Sequence, residues 1–312
     1  MLAAPPERLY APADLYGDWD PDDPQSAART FDFRVYRATR AEGLRVPPSL
    51  EVAHARADHD TTVSWLLNEH LRGERAVAIM GGHSLARSDP AYRLVAEIAH
   101  RLAADGVLVM SGGGPGAMEA AHLGARLVGS GMDLADGLAM MGSEPFPFHS
   151  ADALFTDAGE LHAGAVERLH RWQAPAFALA AATAASPGRS IGIPTWLYGH
   201  EPPTPLATLH AKYFENSIRE DGLLTVATGG VVFAPGKAGT LQEIFQDAAQ
   251  NYYARGEERF NPMVFLDVDE YWTVEFNVRT VLERLLDDAQ ETNLHWVATA
   301  DAAVAALVPS RR

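Results

Sequence analysis

The stretch APGKAGTLQEIF (234–245) sets a lysine among glycines, then a threonine hydroxyl and a glutamate, directly after the apolar run Val231-Val232-Phe233. Residues of these types at this spacing fit three roles: an anion cradle, a hydrolytic carboxylate, or a tight strand-to-helix turn. Gly236, Lys237, Ala238, Gly239 and Thr240 would form the cradle, and Glu243 would be the carboxylate on the first turn of the following helix. Two more glycine-rich turns have the same placement: MGGHSLARSDP (80–90), with Gly82 and Ser84, and SGGGPGAME (111–119), with Gly112, Gly113, Gly114 and Gly116. A turn that ends a strand and opens a helix presents unpaired backbone N–H groups and a positive helix end, which suits an anion. Against this stands the plainer reading, in which glycine is present only for tight geometry and Glu243 only because the helix dipole favours a carboxylate there.

Two familiar motifs fail or fall short on these turns. A nucleoside triphosphate loop needs G-x-x-x-x-G-K-[ST], but Gly236-Lys237 is followed by Ala238, and Val231 stands where the first glycine belongs. Gly112, Gly114 and Ala117 satisfy the dinucleotide pattern on paper, yet Asp133 and Asp136 lie in GSGMDLADG and not at the end of a second strand, where a ribose contact requires them.

The elements that must hold these turns alternate between short apolar runs and helical patterns. Strands are expected at AVAIM (76–80), VLVM (107–110), SIGIP (190–194), GVVFAP (230–235), PMVFLD (262–267) and in the closing HWVATADAAVAAL. Helices are expected over 48–71, 89–106, 117–129, about 206–220, from Gly239 to about Arg255, and about 271–289. This order implies an α/β fold, a Rossmann-like doubly wound parallel sheet with helices on both faces, whose ligands bind at the carboxyl ends of the strands. Residues 1–48, rich in Pro, Asp and Arg, read as an extension in which DWDPDDPQ (19–26) is an exposed, turn-rich arm, and 49–312 as a single domain with a helical insertion at 130–188.

Composition narrows the function classes. A formal charge of −16, from 41 acidic and 25 basic residues, gives no electrostatic footprint for nucleic acid, while leaving room for a small anion bound by local amides. The absence of cysteine removes disulfides, thiolate metal sites and a cysteine nucleophile, and fits a cytoplasmic protein. The N-terminus lacks the pattern of an export signal, and APAFALAAATAA (174–185) is too short to span a bilayer and reads as a buried helix. The twelve histidines show no metal-ligand spacing. Asp267 and Asp269 read as strand-end residues. Trp196 and Tyr198, after the SIGIP strand, are candidates for contact with a base, whereas His200 and Glu201 beside them read as a polar loop.

The pair GGGPGAMEAA (112–121) and PGKAGTLQE (235–243) resembles the Lonely Guy (LOG) family, whose hallmark is P-G-G-x-G-T-x-x-E, over roughly residues 75–272. The resemblance implies a Rossmann-like fold, a homodimer or larger assembly, and hydrolysis of the N-glycosidic bond of a nucleoside 5′-monophosphate, a cytokinin riboside monophosphate among the candidates. No cofactor or metal is implied. Cleavage of the C1′–N bond builds oxocarbenium-like charge, which a carboxylate beside C1′ stabilises while it positions or deprotonates water. Glu243 matches the family's motif glutamate. Arg219, in FENSIREDGLL (214–224), matches its arginine with a one-residue difference in spacing and would hold phosphate or ribose; the plain alternative is an exposed arginine paired with Glu215. Lys237 departs from the family by replacing the second glycine. It is strained if that position needs φ > 0, and constructive if its ammonium joins the phosphate site. A non-catalytic nucleotide carrier or sensor is the alternative function.

Overall fold

A computed structural model describes residues 5–148, 150–254, 261–286 and 291–308. Seven parallel strands form one sheet: β1 (Ala76–Met80), β2 (Leu108–Ser111), β3 (Ser190–Gly192), β4 (Leu209–His210), β5 (Val231–Phe233), β6 (Met263–Leu266) and β7 (Leu294–Val297), in the order β4-β3-β2-β1-β5-β6-β7. The apolar runs are uninterrupted because both faces are covered. Val77 and Ile79 of β1 and Val232 of β5 face one side, and Ala78, Met80, Val231 and Phe233 the other, each set entering a separate core. The fold is therefore the doubly wound, Rossmann-like α/β architecture.

One face is packed by α4 (Pro90–Ala104), α5 (Ala117–Leu127) and α11 (Ala300–Leu307), the other by α3 (Leu50–His70), α8 (Asn216–Thr225), α9 (Ala238–Tyr253) and α10 (Val278–Leu285). Local chemistry sets the boundaries that matter for the strand ends. Asp89 caps α4 through the Ala91 amide with Pro90 in the first turn, and Gly116, at φ 69°, opens α5.

Two expected helices come out differently. The stretch read as one helix from 206 to 220 divides: Leu209–His210 extends the sheet beside β3, and α8 begins only at Asn216. Thr208 decides this locally, its hydroxyl donating to Ser190 O and accepting from Ser190 N, so that edge pairing overrides helical propensity. Past β6, Tyr271–Glu275 forms a turn of π-helix, and Asn277, at φ 49°, breaks the chain before α10. The expected helix end at 287–289 and Arg255 lie outside the described residues.

The N-terminal segment carries α1 (Pro12–Tyr16) and α2 (Phe31–Glu42) and packs against the domain on either side of 19–26. Much of 19–26 does face solvent, yet Trp19 stacks on Phe177 at 4.0 Å and His170 at 4.6 Å. Tyr10 pairs its backbone with His210 at the β4 edge, and Asp32 holds the fully buried Lys212 ammonium. Tyr10 and Trp19 pack against an aromatic third core that contains Tyr36, Phe148, Phe155, Trp172 and Trp196. Residues 130–188 contribute α6 (Leu134–Met141) and α7 (Ala165–Ala182), and 174–182 falls in α7, with Pro175 inside it. No helix among the described residues is long and apolar enough to cross a membrane.

Candidate functional site

Strand order reverses between β1 and β5: β1 leads through α4 to β2 on one side, and β5 leads through α9 to β6 on the other. The crevice beyond their carboxyl ends is where open α/β sheets bind ligands. The glycine turns after β1, β2 and β5 converge there. Gly82 N donates to Pro235 O at 3.0 Å and Gly82 O accepts from Ala117 N at 3.1 Å, stitching the first turn to the other two.

Glycine is obligatory at particular points of this junction. Gly116 has φ 69°, and a Cβ there would sit 2.3 Å from Gly82 O; a Cβ on Gly236 would meet the Thr240 hydroxyl at 2.1 Å. A Cβ on Gly112 would fall 2.0 Å from Arg219 Nη2. Gly239 has open space around it. The turns divide their work accordingly. Gly112, Gly113, Gly114 and Gly116 are buried and form a floor, while Ser84, Lys237, Ala238 and Gly239 face solvent and Thr240 is buried behind them.

Lys237 precedes α9 with φ −115° and ψ −138°, so its position demands no left-handed conformation. Helix α9 starts at Ala238, which puts Glu243 in its second turn and not its first. The turn is braced from behind: the Tyr271 hydroxyl donates to Gly236 O at 2.6 Å, and the Trp272 indole to Phe233 O at 3.1 Å. Asp267, at the end of β6, holds Trp272 and Thr273 by their amides. The floor is fixed from below by the Ser111 hydroxyl, which accepts from Gly113 N and meets His122, itself bonded to Ser190. Burial pushes His122 down to about 3, so this relay is neutral.

Arg219 and Glu243 come together over that floor. Arg219 Nε donates to Ile193 O at 2.7 Å, and Nη1 lies 3.5 Å from Glu243 Oε1. Arg219 is buried and does not pair with Glu215, whose carboxylate instead caps α8 at Ser217. The Glu243 carboxyl is pushed up to about 7 by burial and by the neighbouring Glu220, with Arg219 pulling it down. Glu220 in turn accepts from the Gln242 amide at 2.7 Å.

The structure adds Glu201 to this group, which the sequence read as part of a polar loop. Its carboxylate lies 3.4 Å from His83 Nδ1 and 3.8 Å from His200 Nε2, and 3.9 Å from a Cβ built on Gly114. Burial raises Glu201 to about 7 against the pull of Arg219. The legible signal was its place after the β3 strand on the ligand edge. Trp196 is excluded from base contact: it is fully buried, stacks on Phe214 at 4.5 Å, and gives its indole N–H to Asp32. Tyr198 is 38% exposed near His200.

Glu119 faces away from the crevice. It holds Arg87 through two bonds of 2.8 Å, and Arg87 reaches the carbonyls of Met141 and Trp172, tying the β1 turn to α6 and α7. Asp133 caps α6 at the surface, far in the fold from a strand end, and β3 runs out into Ile193-Pro194 with no acid for a dinucleotide ribose. No group of three or more His, Asp or Glu side chains among the described residues is placed to hold a metal ion. A groove of about 930 Å³ between α2 and α3, lined by Phe31, Val35, Val52 and His59, includes none of the glycine turns.

No family model matches the chain, and no curated protein matches it. Among solved structures, the structural-genomics target TM1055 is similar with a TM-score of 0.43 and 19% identity, over 74% of this chain and 96% of that one. A molybdenum cofactor binding protein from the phototrophic bacterium Rippkaea orientalis is similar with a TM-score of 0.39 and 10% identity, over 74% of this chain and 93% of that one.

Proposed function

We propose that this chain hydrolyses the N-glycosidic bond of a nucleoside 5′-monophosphate, releasing free base and ribose 5-phosphate. The observation that carries the reading is the buried Arg219–Glu243 pair, 3.5 Å apart, beside three convergent glycine turns at the reversal of strand order. The resemblance of PGKAGTLQE and GGGPGAMEAA to the Lonely Guy family, which singles out the same two residues, supports it.

In this reading the 5′-phosphate sits at the solvent-facing turn, against the amides of Lys237, Ala238 and Gly239, the Thr240 hydroxyl and the Lys237 ammonium. Arg219 anchors ribose or phosphate and favours the ionised form of Glu243 against its burial. As the C1′–N bond breaks, charge develops on the ribose, and the Glu243 carboxylate stabilises it and takes a proton from the attacking water. A negative group held in a dry site acts more strongly than it would in water, because little solvent screens it. The chain works as a homo-oligomer in this proposal, which its mass in solution reads directly.

The test is chromatographic. The protein is incubated with a panel of nucleoside 5′-monophosphates and with the matching nucleosides, and free base is measured. Release from a monophosphate but not from its nucleoside supports the reading. Tight binding with no release would make the chain a carrier or sensor instead.

A further inference from the structure

Glycosidic cleavage makes two demands, and Glu243 answers only the one at C1′. The electron pair of the broken C1′–N bond goes to the leaving base, which departs poorly as an anion and needs a proton on a ring nitrogen. We propose that Glu201 is the catalytic acid that delivers this proton, from the Gly114 end of the floor, with the Arg219–Glu243 pair at the Gly112 end.

The argument rests on the hydrolase reading above and on placement. Glu201 lies within the loop between β3 and β4, and its carboxylate stands over Gly114, while the Arg219 guanidinium, with Glu243 beside it, stands at Gly112. Its contacts are unlike those of Glu243. Where Glu243 has a guanidinium at 3.5 Å, Glu201 has two imidazoles, His83 at 3.4 Å and His200 at 3.8 Å. His200 is driven down to about 4 by burial and by His83, so it is neutral at pH 7 and brings no charge to hold Glu201 ionised. Arg219 opposes protonation of Glu201 only from longer range, and burial outweighs it. Burial pushes both carboxyls up to about 7, so it is placement that divides the roles: Glu243 against the Arg219 guanidinium, and Glu201 between two imidazoles over Gly114.

The N-terminal segment holds the acid in place. A Cβ on Gly199 would lie 2.3 Å from the Tyr36 ring, so the loop carrying Glu201 rests directly on α2. Burial pushes the Tyr36 phenol up to about 12 against the pull of Arg40, and the nearby Asp152 and Glu201 carboxylates add to the rise. The groups facing Glu201 are thus His83, His200, Tyr36 and Arg219.

The step balances without a further reactant. The C1′–N bond breaks, the Glu201 proton passes to the base, water oxygen bonds to C1′, and its proton passes to Glu243. Exchange with solvent resets both carboxyls.

The experiment compares two substrates: a nucleoside 5′-monophosphate that the unaltered protein cleaves, and 4-nitrophenyl ribofuranoside 5-phosphate, whose leaving group needs no proton. E201Q is expected to lower kcat on the nucleotide about 10²–10³-fold and to change kcat on the aryl substrate by less than about 3-fold. Equal losses on both, or no loss on the nucleotide, would overturn the assignment. If E201Q does not fold, the unaltered protein decides by its pH profile: an alkaline fall in kcat for the nucleotide and none for the aryl substrate supports an acid, and the same fall for both overturns it. An unaltered protein that cleaves neither substrate overturns the hydrolase reading itself, and this one with it.

Discussion

Arg219 Nη1 lies 3.5 Å from Glu243 Oε1, with the two side chains 9% and 10% exposed, at the point where the sheet reverses its strand order. Each group makes the other's charge tolerable in a site that water scarcely reaches. Arg219→Ala should therefore lower kcat/KM about 10²–10³-fold. It should also move the acid limb of the pH profile upward, because Glu243 loses the cation that holds its carboxyl down. The double variant with Glu243→Gln should cost far less than the sum of the singles, since the two act as a unit. Steady-state kinetics across pH on the three variants reads all of this.

Lys237 is exposed and has negative φ, so a glycine there gains nothing sterically. Lys237→Gly should change stability by less than about 1 kcal/mol. It should raise KM for the monophosphate roughly 2–5-fold at unchanged kcat, as expected for an exposed ammonium that aids phosphate binding. Thermal unfolding and a salt series on KM separate the two effects.

The glycines should respond according to their surroundings. Gly239→Ala meets open space and should be nearly silent, whereas Gly116→Ala combines φ 69° with a clash on Gly82 O and should destabilise by about 1–3 kcal/mol. Gly112→Ala should fold yet lose activity, because its Cβ displaces the side-chain ends of Arg219 and Met118 and not backbone. Denaturant unfolding alongside the base-release assay distinguishes the three.

Asp247, one turn beyond Glu243 on α9, is buried with Oδ2 unpartnered, and burial lifts its carboxyl to about 7. The folded protein holds this proton more tightly than the unfolded chain, so the contribution of Asp247 to stability falls as pH rises from about 4 through 7. Asp247→Asn removes that loss and should stabilise the protein at pH 8 relative to pH 5, by on the order of 2–4 kcal/mol. Urea midpoints of the two proteins at both pH values check the sign. His122, His200 and His210, held near 3, 4 and 4 by burial, act oppositely in both proteins by destabilising the fold below pH 6.5, and so cancel from the comparison.

The central strands and the three glycine turns were readable in the sequence, because strands buried on both faces leave continuous apolar runs and the turns between them and the helices leave glycines. What escaped the reading depended on partners distant in sequence. Leu209–His210 is a strand only because Thr208 meets Ser190, and Trp196 is core only because Tyr10, Asp32 and Phe214 surround it. Glu201 looked like loop polarity until His83, His200 and Gly114 came to lie around it. The polar N-terminal composition likewise hid a row of aromatic contacts that only the third core reveals.

The central claim is that Glu243 promotes cleavage at C1′. The direct measurement is the rate of free-base and ribose 5-phosphate formation from a saturating nucleoside 5′-monophosphate, by the unaltered protein and by folded Glu243→Gln. The account predicts equimolar base and ribose 5-phosphate from the first, and a rate lower by about 10²-fold or more from the second. Base release at an equal rate from both proteins would contradict it.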